Sequence, residues 1–267
     1  ILGVLQRIAL CYFFASVIIY YGKSRMALFI GMMILVIYWV LSFALGAAGH
    51  PYSLSGYFGN AIDFNILGIS HIYKGEGVPF DPEGLTSTLP AIVQVIFGFL
   101  VGEYIQLKGK NFEMLAKLLL TGVVLVLVGF IWDFSFPINK KIWTSSYVFY
   151  TSGLAIVTLS MFIYLLEFNN AKGKWSQFFD VFGKNPLFIF VLSGFLPRVL
   201  ALLRWVDHVD EKGEPVYTNA LPWFYQHVCK DVATDLRIGS LLYALCIIAF
   251  MGAIAYLLDK KKIYIRV

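Results

Sequence analysis

The sequence predicts an all-α fold: a polytopic integral membrane bundle of about seven transmembrane helices, one helical domain over residues 1–267. Three observations predict it. Hydrophobic residues fill 59% of the 267 positions and charged residues only 14%, with mean hydropathy +0.76; a soluble domain carries about 25% charged residues. The apolar residues form runs of about 20, the length that crosses a bilayer as a helix. The runs are continuous rather than alternating, which fits helices and not a transmembrane barrel. The aromatic share of 17%, with 16 Tyr and 6 Trp, suits rings at the membrane–water interfaces.

Seven spans follow in order, at 4–20, 26–46, 85–107, 114–132, 144–166, 187–205 and 238–258. The first is apolar apart from Gln6 and Arg7, and the polar turn "YGKSR" separates it from the second. The third opens directly after "FDPEG", residues 80–84. It contains Gly98 and Gly102 as G-x-x-x-G, a pattern that permits close helix approach. The fourth ends at Asp133, and Pro137 prevents simple continuation. The fifth opens on Thr144, Ser145 and Ser146. The sixth starts with Gly183, Asn185 and Pro186, a turn, a cap and Pro at the first helical position. Pro197, beside Arg198, should bend it. The long connections are 47–84 and 206–237, the latter holding a short interfacial segment, "LPWFYQHV". No internal repeat or low-complexity tract stands out.

Lysine and arginine set the orientation. The side with the 21–25, 108–117 and 167–186 connections and the C-terminal tail holds 12 of the 21 basic residues, against 9 on the other. Acidic residues divide 5 to 11. The C-terminus is therefore expected in the cytoplasm and both long loops outside. His50, His71, His208 and His227 then lie at or beyond the outer face. The net charge of +5 reads as membrane orientation rather than nucleic-acid binding. Cys11, Cys229 and Cys246 are odd in number and widely spaced, so neither a disulfide framework nor a metal site is expected. No zinc spacing, G-x-S-x-G elbow or Walker loop occurs. The chain opens on Ile1 rather than Met, and is expected to lack the N-terminus of its gene product.

Ionisable groups near membrane depth default to a functional reading. Arg7, beside Gln6, is weighed against snorkelling to the interface; for Glu103, interfacial solvation is the favoured account. Asp81 and Glu83 stand at the mouth of the third span. They either organise a polar site or favour the helix N-terminus through its dipole. The densest polar cluster is "WDFSFPINKKIWTSS", 132–146. Asp133, Asn139, Lys140, Trp143 and Ser146 read equally as a binding site or an ordinary turn. Lys184 and Asn185, on the inner side, serve either as a helix start or as contacts to an anionic ligand.

"GVLQRIALCYF" (3–13), "FDPEGLTSTLPAI" (80–92), "FPINKKIWTSSYV" (136–148) and "DKKKIYIRV" (259–267) together resemble the heparan-alpha-glucosaminide N-acetyltransferase family, in that order and across essentially the whole chain. Bacterial members are often labelled N-acetylglucosamine-related transporters. The resemblance implies a bundle of about eleven spans, of which this chain supplies the C-terminal seven. It also implies an acetyl transfer from cytoplasmic acetyl-CoA, as co-substrate, to the amine of a glucosamine-type sugar on the outer face of a bacterial inner membrane. The histidine usually assigned to catalysis in the family precedes the "GVLQR" motif and lies outside this chain. No histidine here inherits that role by motif; His71, shortly before "FDPEG", takes only a place near the site. Asp81, Glu83 and Asn139 are the other supporting candidates. The expected sugar contacts are Gln6, Arg7, Asp81, Glu83, Asp133, Asn139, Lys140, Trp143 and Ser146; the CoA contacts are Lys184 and Asn185. No metal is expected.

Two further functions compete with the acyltransferase. One is a transporter of N-acetylglucosamine or a related oligosaccharide, the other a non-catalytic assembly subunit. Transporters often carry inverted repeats, and none is visible in these spans. The expected partners are the bilayer and an amino sugar or oligosaccharide, and exposed glycine faces permit a homo-oligomer.

Overall fold

The structure, a computed structural model, describes residues 3–209, 213–232 and 234–265. Arg266 and Val267, which end the basic tail motif, lie outside the described residues. So do Asp210, Glu211 and Lys212 of the outer charge count. The chain divides into two compact units, Ile1–Ala171 and Lys172–Val267.

The first unit opens with α1 (Val4–Leu45), 42 residues with one non-helical member, Lys23, at φ 54°, ψ 178°. A straight helix of that length would run about 63 Å, twice a hydrocarbon core. Side-chain contacts require a reversal instead. Arg7 meets Glu83 at the start of α3 (Leu85–Lys108), and Ser24 meets Glu103 near its far end. Gly31 has returned to Val93, whose Cγ1 would lie 3.0 Å from a Cβ placed there. Ala15 and Ala27, on either side of Lys23, share one buried cluster with Ile92 and Ile96. The polar turn of the sequence is thus where the direction changes.

Between the second arm of α1 and α3 lies a long loop, with the short helix α2 (Gly59–Leu67) and a 3-10 turn at Ile69–His71. Tyr38, Tyr57, Phe58, Phe80, Phe136 and Ile142 form the buried aromatic cluster that seats this loop. Two long helices, α4 (Phe112–Asp133) and α5 (Ser145–Ile163), then pack closely. A Cβ on Gly153 would lie 2.6 Å from the Gly122 carbonyl oxygen, so only glycine admits this approach. The G-x-x-x-G pair plays no such part among the described residues: no atom lies within 4 Å of a Cβ placed at Gly98 or Gly102.

The second unit comprises α6 (Lys174–Lys184), α7 (Pro186–Leu200), a β-hairpin, α8 (Ala220–Phe224) and α9 (Leu236–Lys260). Its core joins Val181, Ile189, Met251 and Ala255. The hairpin corrects the purely helical expectation. β1 (Arg204–Val209) pairs antiparallel with β2 (Pro215–Asn219), with an irregular register between Val206 and His208. Trp205, Val206, Val216, Tyr217 and Thr218 are residue types that favour strands.

Among the described residues, five helices are long and apolar enough to cross a membrane: α1, α3, α4, α5 with its continuation to Phe168, and α9. The pair α6 and α7, bent by 78°, raises the number to six if taken as one span. The expected seven are not separate elements here. The first two fall within α1, and the sixth, placed at 187–205, stops at Leu200 because the chain turns into β1.

Candidate functional site

The "FDPEG" corner is a single tight turn. The Gly84 amide donates to the Asp81 carbonyl at 3.0 Å, and the Glu83 amide donates to Asp81 Oδ1 at 2.9 Å. Pro82 suits the second position of such a turn because its φ is already set. Asp81 is buried, and its Oδ2 has no hydrogen-bond partner among the described residues.

Arg7 reaches this corner from the first arm of α1. Nη1 donates to the Pro82 carbonyl at 2.6 Å and to Glu83 Oε2 at 3.1 Å; Nη2 donates to the Ser87 carbonyl at 2.6 Å. Arg7 is 4% exposed, which removes the snorkelling account. Its guanidinium carbon lies 4.2 Å from the centre of the Trp143 ring, a cation–π contact. Trp143 sits at φ 52°, in the left-handed region that bulky residues avoid. Its Nε1 donates to Gln94 Oε1 at 3.1 Å, and Gln94 Nε2 donates to Thr151 Oγ1 at 3.0 Å. A polar chain therefore runs from Glu83 through Arg7, Trp143 and Gln94 to Thr151.

Beneath the corner lies Asp63 of α2, which sequence reasoning did not single out. Its Oδ1 accepts from the Thr86 amide at 3.2 Å and from Thr86 Oγ1 at 3.1 Å. Burial, more than the nearby Asp81 charge, raises its carboxyl above the usual range, against the bonds from Thr86. A signal was present: α3 opens on Gly84, which has no side chain to cap it. The buried pair Tyr38 and Tyr57 adjoins. Tyr38 donates to the Ile142 carbonyl at 2.5 Å, so the proton in the 2.8 Å bond between the two hydroxyls comes from Tyr57.

The other expected site residues are placed differently. Gln6 is exposed, and its Oε1 accepts from the Gly3 amide at 3.2 Å. His71 is exposed on its turn, with Nδ1 3.0 Å from the Leu67 carbonyl. The 132–146 cluster is largely engaged in its own turn. Asp133 Oδ1 accepts from the Ile138 amide, and Asn139 Oδ1 from the Lys141 amide. Ser146 Oγ donates to the Phe136 carbonyl at 2.5 Å. Lys140 is exposed, while Lys141 pairs with Glu76.

In the second unit Lys184 lies 2.8 Å from Asp180 and 3.0 Å from Asp259. Asn185 is fully buried and clips the C-terminal tail, donating to the Ile263 carbonyl and accepting from the Ile265 amide. A cleft of about 770 Å³ runs beside Lys174, Lys184, Tyr256 and Asp259. No group of three or more His, Cys, Asp or Glu residues is placed to hold a metal ion among the described residues.

No family profile matches the chain. Human heparan-alpha-glucosaminide N-acetyltransferase is 26% identical over 226 residues, 77% of this chain and 29% of that protein. The chain is similar to heparan-alpha-glucosaminide N-acetyltransferase. The mouse enzyme is 25% identical over 226 residues, with 77% of this chain and 30% of that protein covered. The resemblance to the heparan-alpha-glucosaminide N-acetyltransferase family, read above from four motifs, is thus borne out. The chain spans less than a third of the length of these N-acetyltransferases. The apolar helices and the similarity to these enzymes together make this an integral membrane protein.

Proposed function

We propose that this chain is a helical part of a membrane acyltransferase that moves an acetyl group from acetyl-CoA to the amine of an amino sugar. The observation that carries the reading is the corner of α3: a buried Arg7 neutralises Glu83, while Asp81 keeps one buried oxygen unpaired. Two further carboxylates, Asp81 and Asp63, bond to the amides of Glu83 and Thr86 at the same corner with no cation of their own among the described contacts, and such an imbalance favours a protonated amine. The amine must lose that proton before it can attack a thioester. Asp81 holds and orients the ammonium. The base lies outside the residues assigned here, in keeping with a family histidine that precedes "GVLQR".

The reversal at Lys23 supports seven crossings, two of them made by the arms of α1, with α6 and α7 as a broken span. The basic bias then puts the C-terminus in the cytoplasm and the α3 corner on the outer face of a bacterial inner membrane. The CoA phosphates meet Lys172, Lys174 and Lys184 of the second unit, on the inner side. At Lys184 they compete with Asp180 and Asp259.

The test uses the whole protein in proteoliposomes, with labelled acetyl-CoA outside or inside and glucosamine-type acceptors opposite. N-acetylated sugar, dependent on both substrates, supports the proposal. Sugar accumulation with no acetylated product would overturn it.

A further inference from the structure

We infer that Asp63 is a positioning residue: from α2 it supplies the cap that α3 lacks, and so holds Asp81 and Glu83 in register with Arg7. Its place in catalysis rests on the acceptor-site reading above; its geometry does not.

A helix leaves its first amides without partners, and a side chain at the cap position ordinarily satisfies one. Gly84 has no side chain to offer, and the acceptor for Thr86 comes instead from Asp63, 23 residues earlier. Asp63 is 3% exposed and fills the place that a side chain on residue 84 would take: a Cβ there would lie 2.0 Å from Asp63 Oδ2. Glycine at 84 is therefore demanded by the carboxylate, not by a special backbone angle.

The corner is consequently held from two sides. Arg7 grips Pro82, Glu83 and Ser87, while Asp63 grips Thr86 between them. Asp63 is itself on a fixed base. Asn60 of the same helix donates to the Leu54 carbonyl at 2.6 Å, and the preceding Tyr57 is locked to Tyr38. A cap that merely stabilised α3 would not need this base. A residue that sets where Glu83 meets Arg7 does.

The experiment compares wild type, Asp63→Asn and Asp63→Ala as full chains in lipid nanodiscs. Hydrogen–deuterium exchange is followed over residues 85–88, and the Arg7–Glu83 coupling is taken from melting temperatures of Arg7→Gln, Glu83→Gln and the double variant in each background. Exchange over 85–88 should rise at least about tenfold in Asp63→Ala, with the Arg7–Glu83 coupling lost. Asp63→Asn keeps one acceptor for Thr86 and should fall between, rescuing part of both effects. Unchanged exchange would overturn the capping role; faster exchange with full coupling would reduce Asp63 to a stabilising cap and overturn positioning. If Asp63→Ala does not fold, Asp63→Asn decides by the same two readouts. In the active whole enzyme, Asp63→Asn should raise the acceptor KM several-fold and leave the acetyl-CoA KM unchanged; equal changes in both would overturn the inference. A wild type without transfer activity would sink the proposed function and leave exchange and coupling to decide this point.

Discussion

Arg7 and Glu83 meet at 3.1 Å across 76 positions of sequence, the arginine side chain 5% exposed and the glutamate 26%. The guanidinium is the more committed partner, since it also serves the Pro82 and Ser87 carbonyls. Removing it strands a carboxylate and two carbonyls at once. Arg7→Ala should cost about 3–5 kcal/mol, the range for breaking a buried pair from one side. Arg7→Lys should recover only part of this, because a point charge cannot reproduce the planar fork. Unfolding of both variants in one detergent checks it; wild-type stability in Arg7→Lys would contradict the geometry.

Trp143 bears on the same guanidinium. Trp143→Phe keeps a ring beneath Arg7 but loses the donor to Gln94, and should cost about 1 kcal/mol. Adding Gln94→Leu should then cost only what its remaining bond to Thr151 contributes, less than the same change costs in the wild type. Additive losses in a double-mutant cycle would show that the two side chains do not act together.

Asp63 supplies a pH signature. Burial, opposed by the bonds from Thr86 and reinforced by the charge on Asp81, raises its carboxyl above the ordinary value of 3.8. Tyr57 and Tyr38 are the other titratable groups on which its charge acts. A raised folded value means that the native state keeps this proton to higher pH than the unfolded chain does. Its contribution is fully present below the ordinary carboxyl value and is lost as pH rises through the folded value. Melting temperature measured upward from pH 4 should therefore decline for wild type relative to Asp63→Asn. Parallel curves would remove the shift.

Lys23 occupies backbone space at φ 54°, ψ 178° that is essentially reserved for glycine. Lys23→Gly should stabilise the chain by about 1 kcal/mol, and a β-branched residue there should destabilise it by a similar amount or more. A loss of stability in Lys23→Gly would argue against the reversal of α1. The sidedness is tested apart from this, with cysteine at the exposed Ser55. An impermeant thiol reagent should label it in intact cells, and labelling only after lysis would reverse the proposed orientation.

The long helices were legible because burial in lipid writes itself as uninterrupted apolar runs; α3, α4 and α9 lie within two residues of their expected bounds. The merging of the first two spans was not, since both arms of α1 continue up to a single residue. The hairpin at 204–219 escaped because Trp205 and Val206 extend the apolar run of α7, and period alone does not separate a short strand from a helix end. Arg7, Asp81 and Glu83 were legible as charges out of place. Asp63 was not, because Gly84 signals only that the cap of α3 must come from elsewhere, and no local spacing points to a residue 22 positions before the helix begins. The 132–146 cluster looked like a site because the sequence displays its polar atoms without the backbone partners that occupy Asp133, Asn139 and Ser146.

The central claim is that the α3 corner holds the acceptor amine, and Asp81→Asn tests it most directly. Asparagine keeps the size of the side chain and its acceptor for the Glu83 amide, but gives up the charge. In the whole protein, acetyl transfer to an amino sugar and melting temperature should be measured side by side for wild type and Asp81→Asn. Transfer should fall about tenfold or more, the scale for losing a positioned polar group, while the melting temperature stays within a few degrees. Undiminished transfer in Asp81→Asn would make the corner a piece of architecture and place the acceptor elsewhere.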